Sequence, residues 1–334
     1  MGADVSDLDV FGWQADQTGC GYYRIELPLQ GLAALGYTVA ASQRLTSAVR
    51  NNPDTVIVGQ RVCQDEASQT WQQLAADGRR LIFEIDDDLW NIDGSSQQAH
   101  AFYSGGNRLA NLKRNIEVAT AVTVTTEPLA ERVAVWNPNV HVIPNAVPDW
   151  LVDHSPSRRV DGTLTIGWGG SATHQMDFEQ VSSQLRQFLK RNPTAELHCI
   201  GVDYAAWMRT PKAQSRFTPW VPSVEDFLRT IDYHVGIAPL RPHVFNQAKS
   251  ALKALECGAL GIPVVASAVR PYEDYIHHGT TGYLVRRDHE WARHLRALAQ
   301  DPAMRAEMGA AAREQAHQHT ITRTAPLWQK AILG

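Results

Sequence analysis

The chain is short of several things, and each shortage excludes something. Of its 334 residues only four are cysteine: Cys20, Cys63, Cys199 and Cys257. They are widely scattered and form no CxxC pair. That argues against a structural zinc site, and at this length against a disulfide framework. A reducing, cytoplasmic setting is expected. Long apolar runs are also missing. No stretch is long enough to span a bilayer, and "MGADVSDLDV" lacks a basic region followed by an apolar one, so neither a signal peptide nor an integral membrane segment is expected. "MGADVS" does meet the loose myristoylation pattern through Gly2 and Ser6, a match short enough to be read as coincidence. Net charge is only −4, so no overall basic field draws nucleic acid or anionic membrane. Basic residues do not cluster beyond short pairs such as Arg79-Arg80, Arg158-Arg159 and Arg286-Arg287, which read as solvated surface. Nucleic acid is therefore not an expected partner; salt-dependent duplex binding would reverse that. Internal repeats and low-complexity tracts are absent.

What is present is ordinary globular composition, 44% hydrophobic and 20% charged. The length suggests two domains, each able to bury a core. The ten tryptophans read as buried anchors.

Short apolar runs alternate with amphipathic segments through the first half. "LDVFGW" (8–13), "TVIVG" (55–59), "RLIFEI" (80–85), "AVTVTT" and "VHVIP" read as strands. "YYRIELPLQGLAALG", ending at Gly36, "DEASQTWQQLAADG", stopped by Gly78, "NRLANLKRNIEVA" and "EPLAERVAVW" read as helices. Such alternation implies a parallel sheet covered on both faces. "NAVPDWLVDHSPSRRVDG" carries proline, serine and charge without periodicity and reads as a linker. The alternation then restarts: "TLTIGW", "AELHCIG", "YHVGIAPL" and "IPVVAS" as strands, with "DFEQVSSQLRQFLKRN", "VEDFLRTI" and "KSALKALECGALG" as helices. Two helical runs, 289–300 and 302–319, and "RTAPLWQKAILG" close the chain. The expected organisation is an N-terminal doubly wound domain over 1–150, a linker over 151–162, a second such domain over 163–315, and a C-terminal helix over 316–334 that packs back on the first domain. Ligands of open parallel sheets sit beyond the carboxyl ends of strands, so functional residues belong in the loops there.

Three loops draw attention. In "IGWGGSATHQMDF" the run Gly169-Gly170-Ser171 lies between a strand and a helix start. Small residues let backbone N–H groups approach an anion, the helix N-terminus adds positive charge, and His174 is placed to reach the same anion. A plain turn with a solvated His174 fits these residues equally well. In "RPHVFNQAKSALKALECGALGIPVVAS", Lys249, Lys253 and Glu256 share one helix face. The helix is expected to begin near Lys249–Ser250, where free N–H groups beside Lys249 suit a phosphate, and Glu256 can take both ribose hydroxyls. Lys253 and Glu256 also read as a solvated i, i+3 pair, which taken alone is the better account of Lys253. The third loop is "FEIDDDLWNID", where Asp86, Asp87 and Asp88 follow a strand. Asp86 and Asp88 form an Asp-x-Asp of the sort that bridges a metal to a diphosphate. Alternation along an extended segment sends these two one way and Asp87 the other.

"LKALECGALGIPVVASAVRPYEDYIHHGTTGYLV" resembles the C-terminal signature of retaining glycosyltransferases of the GT-B fold, the family-four type also called glycosyl transferases group 1. The matching positions are Glu256, Gly258, Gly261, Pro263, Val264, Val265, Ser267, Glu273, Gly279, Gly282 and Leu284. "EIDDDLW", "IGWGGSATH" and "FNQAKSALKALE" together resemble a bacterial and phage-associated branch. The resemblance implies two Rossmann-like parallel-sheet domains facing each other across a cleft. It implies a nucleotide-sugar co-substrate, UDP- or GDP-linked, with no other cofactor and no metal, and a glycan, protein or small-molecule acceptor. Residue by residue, it places Glu256 on the ribose. It places Gly169, Gly170, Ser171, His174, Lys249, Ser250 and Ala251 around the diphosphate, and Trp220 and Val221 beside the base. Gly21, Tyr22, Arg24, Asp87 and Glu127 fall on the sugar and acceptor side. Since the diphosphate then belongs to the second domain, Asp86 and Asp88 are read as orienting an acceptor hydroxyl or taking its proton, with a carboxylate left to cap the following turn. His174 and Lys249 are the expected charge-stabilising groups. The family's second glutamate, eight positions before Glu256, is here Ala248, so its sugar contacts do not carry over.

Three other classes compete. A nicotinamide dehydrogenase is disfavoured because "GCGYYR" has Arg24 where a third glycine belongs and starts well past the first strand. A sugar-nucleotide epimerase of the same fold would need carboxylates around the sugar, with Asp86–Asp88 and Glu127 as candidates. A binding-only protein with a degenerate site is suggested by Ala248.

Overall fold

The computed structural model describes residues 8–334; the Gly2–Ser6 pattern lies outside them. The chain divides into two compact units. The first takes in the residues through Ala146, Ala248–Ser250 and His319–Gly334; the second holds Val147–Gln247 and Ala251–Gln318.

In the first unit six parallel strands form one sheet: β1 (Val10–Trp13), β2 (Val39–Ser42), β3 (Val56–Gln60), β4 (Leu81–Ile85), β5 (Ala121–Val124) and β6 (Val140–Val142), in the order β2-β1-β3-β4-β5-β6. Both faces are covered, so the central strands are apolar without a break. Successive side chains still alternate: Leu81, Phe83 and Ile85 enter one core with Trp71 and Leu112, whereas Ile82 enters the other with Val10, Leu29 and Trp328. Helix Ile321–Leu333 belongs to this second core and packs along helix Leu27–Ala34; a Cβ on Gly31 would stand 2.9 Å from Ile321 Cγ1.

The helix that follows the first loop has an internal irregularity. Between Gly19–Gly21 and Leu27–Ala34 the turn Tyr22–Glu26 is widened to π geometry, and the Leu27 N–H bonds the Tyr22 carbonyl five residues back. Pro28 gives a local reason, since it has no N–H for an ordinary helical bond.

The second unit carries β7 (Leu164–Gly169), β8 (Ala195–Gly201), β9 (Ser215–Pro219), β10 (Val235–Ala238), β11 (Val264–Ser267) and β12 (Gly282–Val285). They pair in parallel in the order β12-β11-β10-β7-β8-β9. This is the Rossmann order, and strand direction of travel reverses between β7 and β10. Helix Gln175–Arg191 shows how the sequence builds a layer: Phe178, Val181, Leu185, Phe188 and Leu189 recur at helical spacing and all are buried. Each such burial is worth roughly 1.5–3 kcal/mol.

Three expectations are corrected. Strands β2, β9 and β12, which the alternation pattern missed, all lie towards or at a sheet edge, and β2 and β9 have half-exposed faces that need no apolar run. Residues 145–162 are not uniformly irregular: Asp149–Asp153 is a helical turn that buries Leu151 and Val152 in the second unit's core. The helix expected from Lys249–Ser250 begins at Leu252, with Ala251 as its cap residue.

Candidate functional site

The second unit presents a polar constellation at the carboxyl ends of β7, β8, β9 and β10. β7 ends at Gly169. The Gly170 N–H bonds the Ile200 carbonyl at 3.0 Å, which ties the loop to the end of β8. Gly201, the last residue of β8, has φ +96°, and a Cβ there would lie 2.4 Å from the Gly170 carbonyl and 3.3 Å from the Trp220 ring. Only glycine allows this approach. Trp220, just past β9, is 52% exposed, so its ring is an open face beside the glycine loop. Val221 next to it packs on the core.

Lys253 is the lysine that reaches this loop within the unit. Its Nζ donates to the Gly169 carbonyl at 2.6 Å and lies 5.4 Å from the Trp168 ring centroid. A Cβ on Gly170 would come within 3.0 Å of that Nζ and 2.9 Å of the Trp168 ring. The reading of Lys253 as a solvated pair is therefore corrected: it is half-buried and aimed along the loop. Glu256, one turn further along the same helix, is buried at 7% exposure.

Ser171 exchanges a hydrogen bond with Thr173 at 2.8 Å, and His174 pairs through Nδ1 with Asp177 Oδ2 at 3.0 Å. Asp177, buried in the first turn of helix Gln175–Arg191, also accepts the Arg241 backbone N–H at 2.9 Å. It therefore fixes both the His174 ring and the loop after β10. An acid three residues beyond a histidine at a helix start was the available signal for this role.

In the first unit the aspartate run is saturated with cations. Arg61 Nε donates to Asp86 Oδ1 at 2.6 Å, and its NH2 group lies 3.0 Å from Asp87 Oδ2. Burial works against the guanidinium charge, but Asp86 together with Cys20, Tyr103 and Asp87 outweighs it, leaving Arg61 held charged. Arg61 itself adopts φ +49°, a left-handed conformation that costs a non-glycine residue about 1 kcal/mol. Lys249 Nζ is 3.2 Å from Asp87 Oδ1. Asp88 is buried, accepts from Asn91 Nδ2 at 2.7 Å and meets Arg132 at 3.4 Å, so it serves the turn that follows. Among the described residues no group of three or more His, Cys, Asp or Glu side chains is arranged to hold a metal ion.

The other first-unit residues divide sharply. Arg24 was expected on the sugar; the structure corrects this. It is 1% exposed, with Nε 2.6 Å from Glu84 Oε1, NH1 2.7 Å from the Ile143 carbonyl, and its guanidinium 4.6 Å from the Trp328 ring centroid. Burial pushes the Glu84 carboxyl up, and Arg24 opposes that shift. Tyr22 is likewise buried, at 6%, because the widened turn faces inward. Gly21 donates to Asp16 Oδ1 at 3.2 Å, and a Cβ there would strike the Asp16 carbonyl. Glu127 is exposed in the first turn of helix Glu127–Val133. Ser250 Oγ accepts from Asn145 Nδ2 at 2.9 Å, and Ala248 is buried in the first unit's core, its carbonyl accepting from Thr126 Oγ1 at 2.8 Å.

The two Rossmann-like units define the GT-B class of fold. Residues 164–301, within the second unit, match the family described as Glycosyl transferases group 1. A D-inositol 3-phosphate glycosyltransferase of Pseudarthrobacter chlorophenolicus is 45% identical over 78 residues, which is 23% of this chain and 19% of that relative. Among solved structures, Anabaena HepE in complex with UDP and glucose superposes with a TM-score of 0.66 at 13% identity, covering 97% of this chain and 98% of that one. Sucrose-phosphate synthase from Thermosynechococcus elongatus gives 0.64 at 16% identity, covering 97% and 95%. These likenesses show the fold. No described helix is long and apolar enough to cross a membrane.

Proposed function

We propose that this protein transfers a sugar from a nucleoside-diphosphate sugar to an acceptor hydroxyl. The observation that carries the reading is the glycine loop at the end of β7, flanked by Lys253, His174 and the open Trp220 ring. It lies in the unit that matches the glycosyl transferase family. HepE, a structural neighbour, was solved with UDP and glucose, which favours uridine over guanosine as the base.

The chemistry follows from the leaving group. As the glycosidic bond breaks, negative charge grows on the diphosphate. Fixed N–H groups and cations aimed at that charge lower the barrier without having to reorganise, and in many enzymes such fixed charges supply most of the rate enhancement. The Ser171 amide, His174 oriented by Asp177, and Lys253 supply it, on a loop that the Gly170 N–H pins to the end of β8. Lys253 thus takes the part that the sequence pattern assigns to Lys249, whose ammonium stands by Asp87. Glu256 takes the ribose hydroxyls and Trp220 with Val221 the base. Asp86 and Asp87, held in place by Arg61, orient the acceptor hydroxyl. Transfer proceeds with retention and without a metal, the nucleotide sugar being the only small-molecule co-substrate.

A thermal-shift screen of nucleotide sugars tests this. One donor should raise Tm, since a ligand at about a hundred times its Kd stabilises the fold by about 2.7 kcal/mol. That donor should then release its nucleoside diphosphate on incubation with the protein. No shift with any uridine or guanosine donor contradicts the proposal.

A further inference from the structure

The first unit carries an open cavity of about 790 Å³, within the span of roughly 300–1,000 Å³ typical of pockets that hold a small molecule. Its walls come mainly from the segments that follow β1, β2 and β3, with Phe102 and Tyr103 added from the segment after β4. β2 and β3 lie on opposite sides of β1. The cavity therefore stands at the point where strand order reverses, the place where open α/β sheets take ligands.

The charges on its walls are unequally spent. Arg61 is engaged by Asp86 and Asp87. Asp16 accepts from the Thr18 N–H and hydroxyl, both at 2.8 Å, and from the Gly21 N–H. Arg44 and Arg50 remain: among the described residues neither guanidinium is joined to a carboxylate, and both are exposed at the cavity. Among the described residues Glu66 is the one wall carboxylate not so occupied. The balance favours an anion. Two forked guanidinium groups suit the oxygens of a phosphate better than a single carboxylate, because each can donate two parallel N–H bonds. Gln64 and Thr70 on the same wall suit hydroxyl groups.

We propose that this cavity is the acceptor pocket and selects a small polyhydroxylated acceptor carrying a phosphomonoester, the phosphate being held by Arg44 and Arg50. This rests on the sugar-transfer reading. The phosphate is a handle and takes no part in bond making; Arg61 joins the cavity wall to the Asp86–Asp87 pair that meets the acceptor hydroxyl.

The test uses the full chain at constant ionic strength, with glucose 6-phosphate, glucose and inorganic phosphate as probes and UDP as a separate titration. Glucose 6-phosphate and inorganic phosphate should bind, and glucose should bind far more weakly. Arg44→Gln and Arg50→Gln should each weaken glucose 6-phosphate by about tenfold or more, the worth of a hydrogen bond to a charged group. UDP affinity should stay unchanged in both, which also shows that the variants fold. Glucose 6-phosphate binding no tighter than glucose, or unaffected by the double substitution, overturns the pocket assignment while UDP binding stands. Loss of UDP binding in the unaltered protein overturns the sugar-transfer reading instead.

Discussion

Arg61 Nε stands 2.6 Å from Asp86 Oδ1, and the same guanidinium also holds Asp87. This one side chain, placed by the end of β3, decides how the aspartate run is used. Two adjacent carboxylates that already share a largely buried cation are poorly placed to chelate another.

Arg61→Ala should therefore be costly. Removing one partner of a largely buried pair leaves uncompensated charge and costs about 3 kcal/mol, less roughly 1 kcal/mol if the left-handed backbone relaxes. Urea unfolding measures this directly. Sugar transfer by the unaltered protein should survive exhaustive chelation; strict dependence on a divalent ion would show that the carboxylates serve a metal after all.

Arg24→Met should weaken the fold and spare the donor site. Arg24 pairs with Glu84 at 2.6 Å in a buried setting under Trp328. Leaving Glu84 unpaired should cost about 3–5 kcal/mol, read as a lower urea midpoint. UDP affinity of the folded fraction should be unchanged. A large loss of UDP affinity with normal stability would return Arg24 to the sugar side.

The glycine loop should reject side chains. Gly201→Ala places a methyl 2.4 Å from the Gly170 carbonyl at φ +96°. The loop must shift, and UDP binding should fall by about tenfold or more while the core, remote from this turn, keeps the protein folded. Unchanged UDP affinity would detach this loop from the diphosphate. Lys253→Ala should lower turnover by about a hundredfold if it faces the developing charge.

Acid should loosen the second unit through Asp232. Burial raises its pKa, and hydrogen bonds from His198 at 2.9 Å and Arg216 at 2.7 Å more than reverse this, bringing it down to about 2 from 3.8. A carboxylate depressed in the fold adds stability that is full above its unfolded pKa. That share is lost as pH falls from about 4 to about 2. The loss is at most about 2 kcal/mol. Urea unfolding at pH 7, 4 and 3 should show Asp232→Asn with a shallower acid slope than the unaltered protein; equal slopes would remove the effect.

The alternation of apolar runs revealed the parallel sheets because strands such as β4 are buried on both faces and need unbroken apolar sequence. It passed over β2 and β9 because their half-exposed faces tolerate polar residues. The glycine turn after β7 and the helix that carries Glu256 were legible as local structure, whereas their use as a donor site came from the family resemblance, because the residues alone fit a plain turn equally well. Arg61, Lys253 and Asp177 were not, because their roles depend on partners from other segments: Asp86 and Asp87 for Arg61, the Gly169 carbonyl for Lys253, and Arg241 for Asp177. Arg24 misled for the same reason. Its neighbourhood in sequence is a glycine-bearing loop, while its neighbourhood in space is Glu84 and Trp328.

The central claim, that the second unit holds a nucleoside diphosphate through the glycine loop and Glu256, is tested most directly by calorimetric titration of UDP and GDP into the full chain and into Glu256→Ala. One nucleotide should bind the unaltered protein with a Kd in the micromolar range, and Glu256→Ala should weaken it by about tenfold or more through two lost ribose hydrogen bonds. Failure of both nucleotides to bind, or an affinity indifferent to Glu256, would contradict the account.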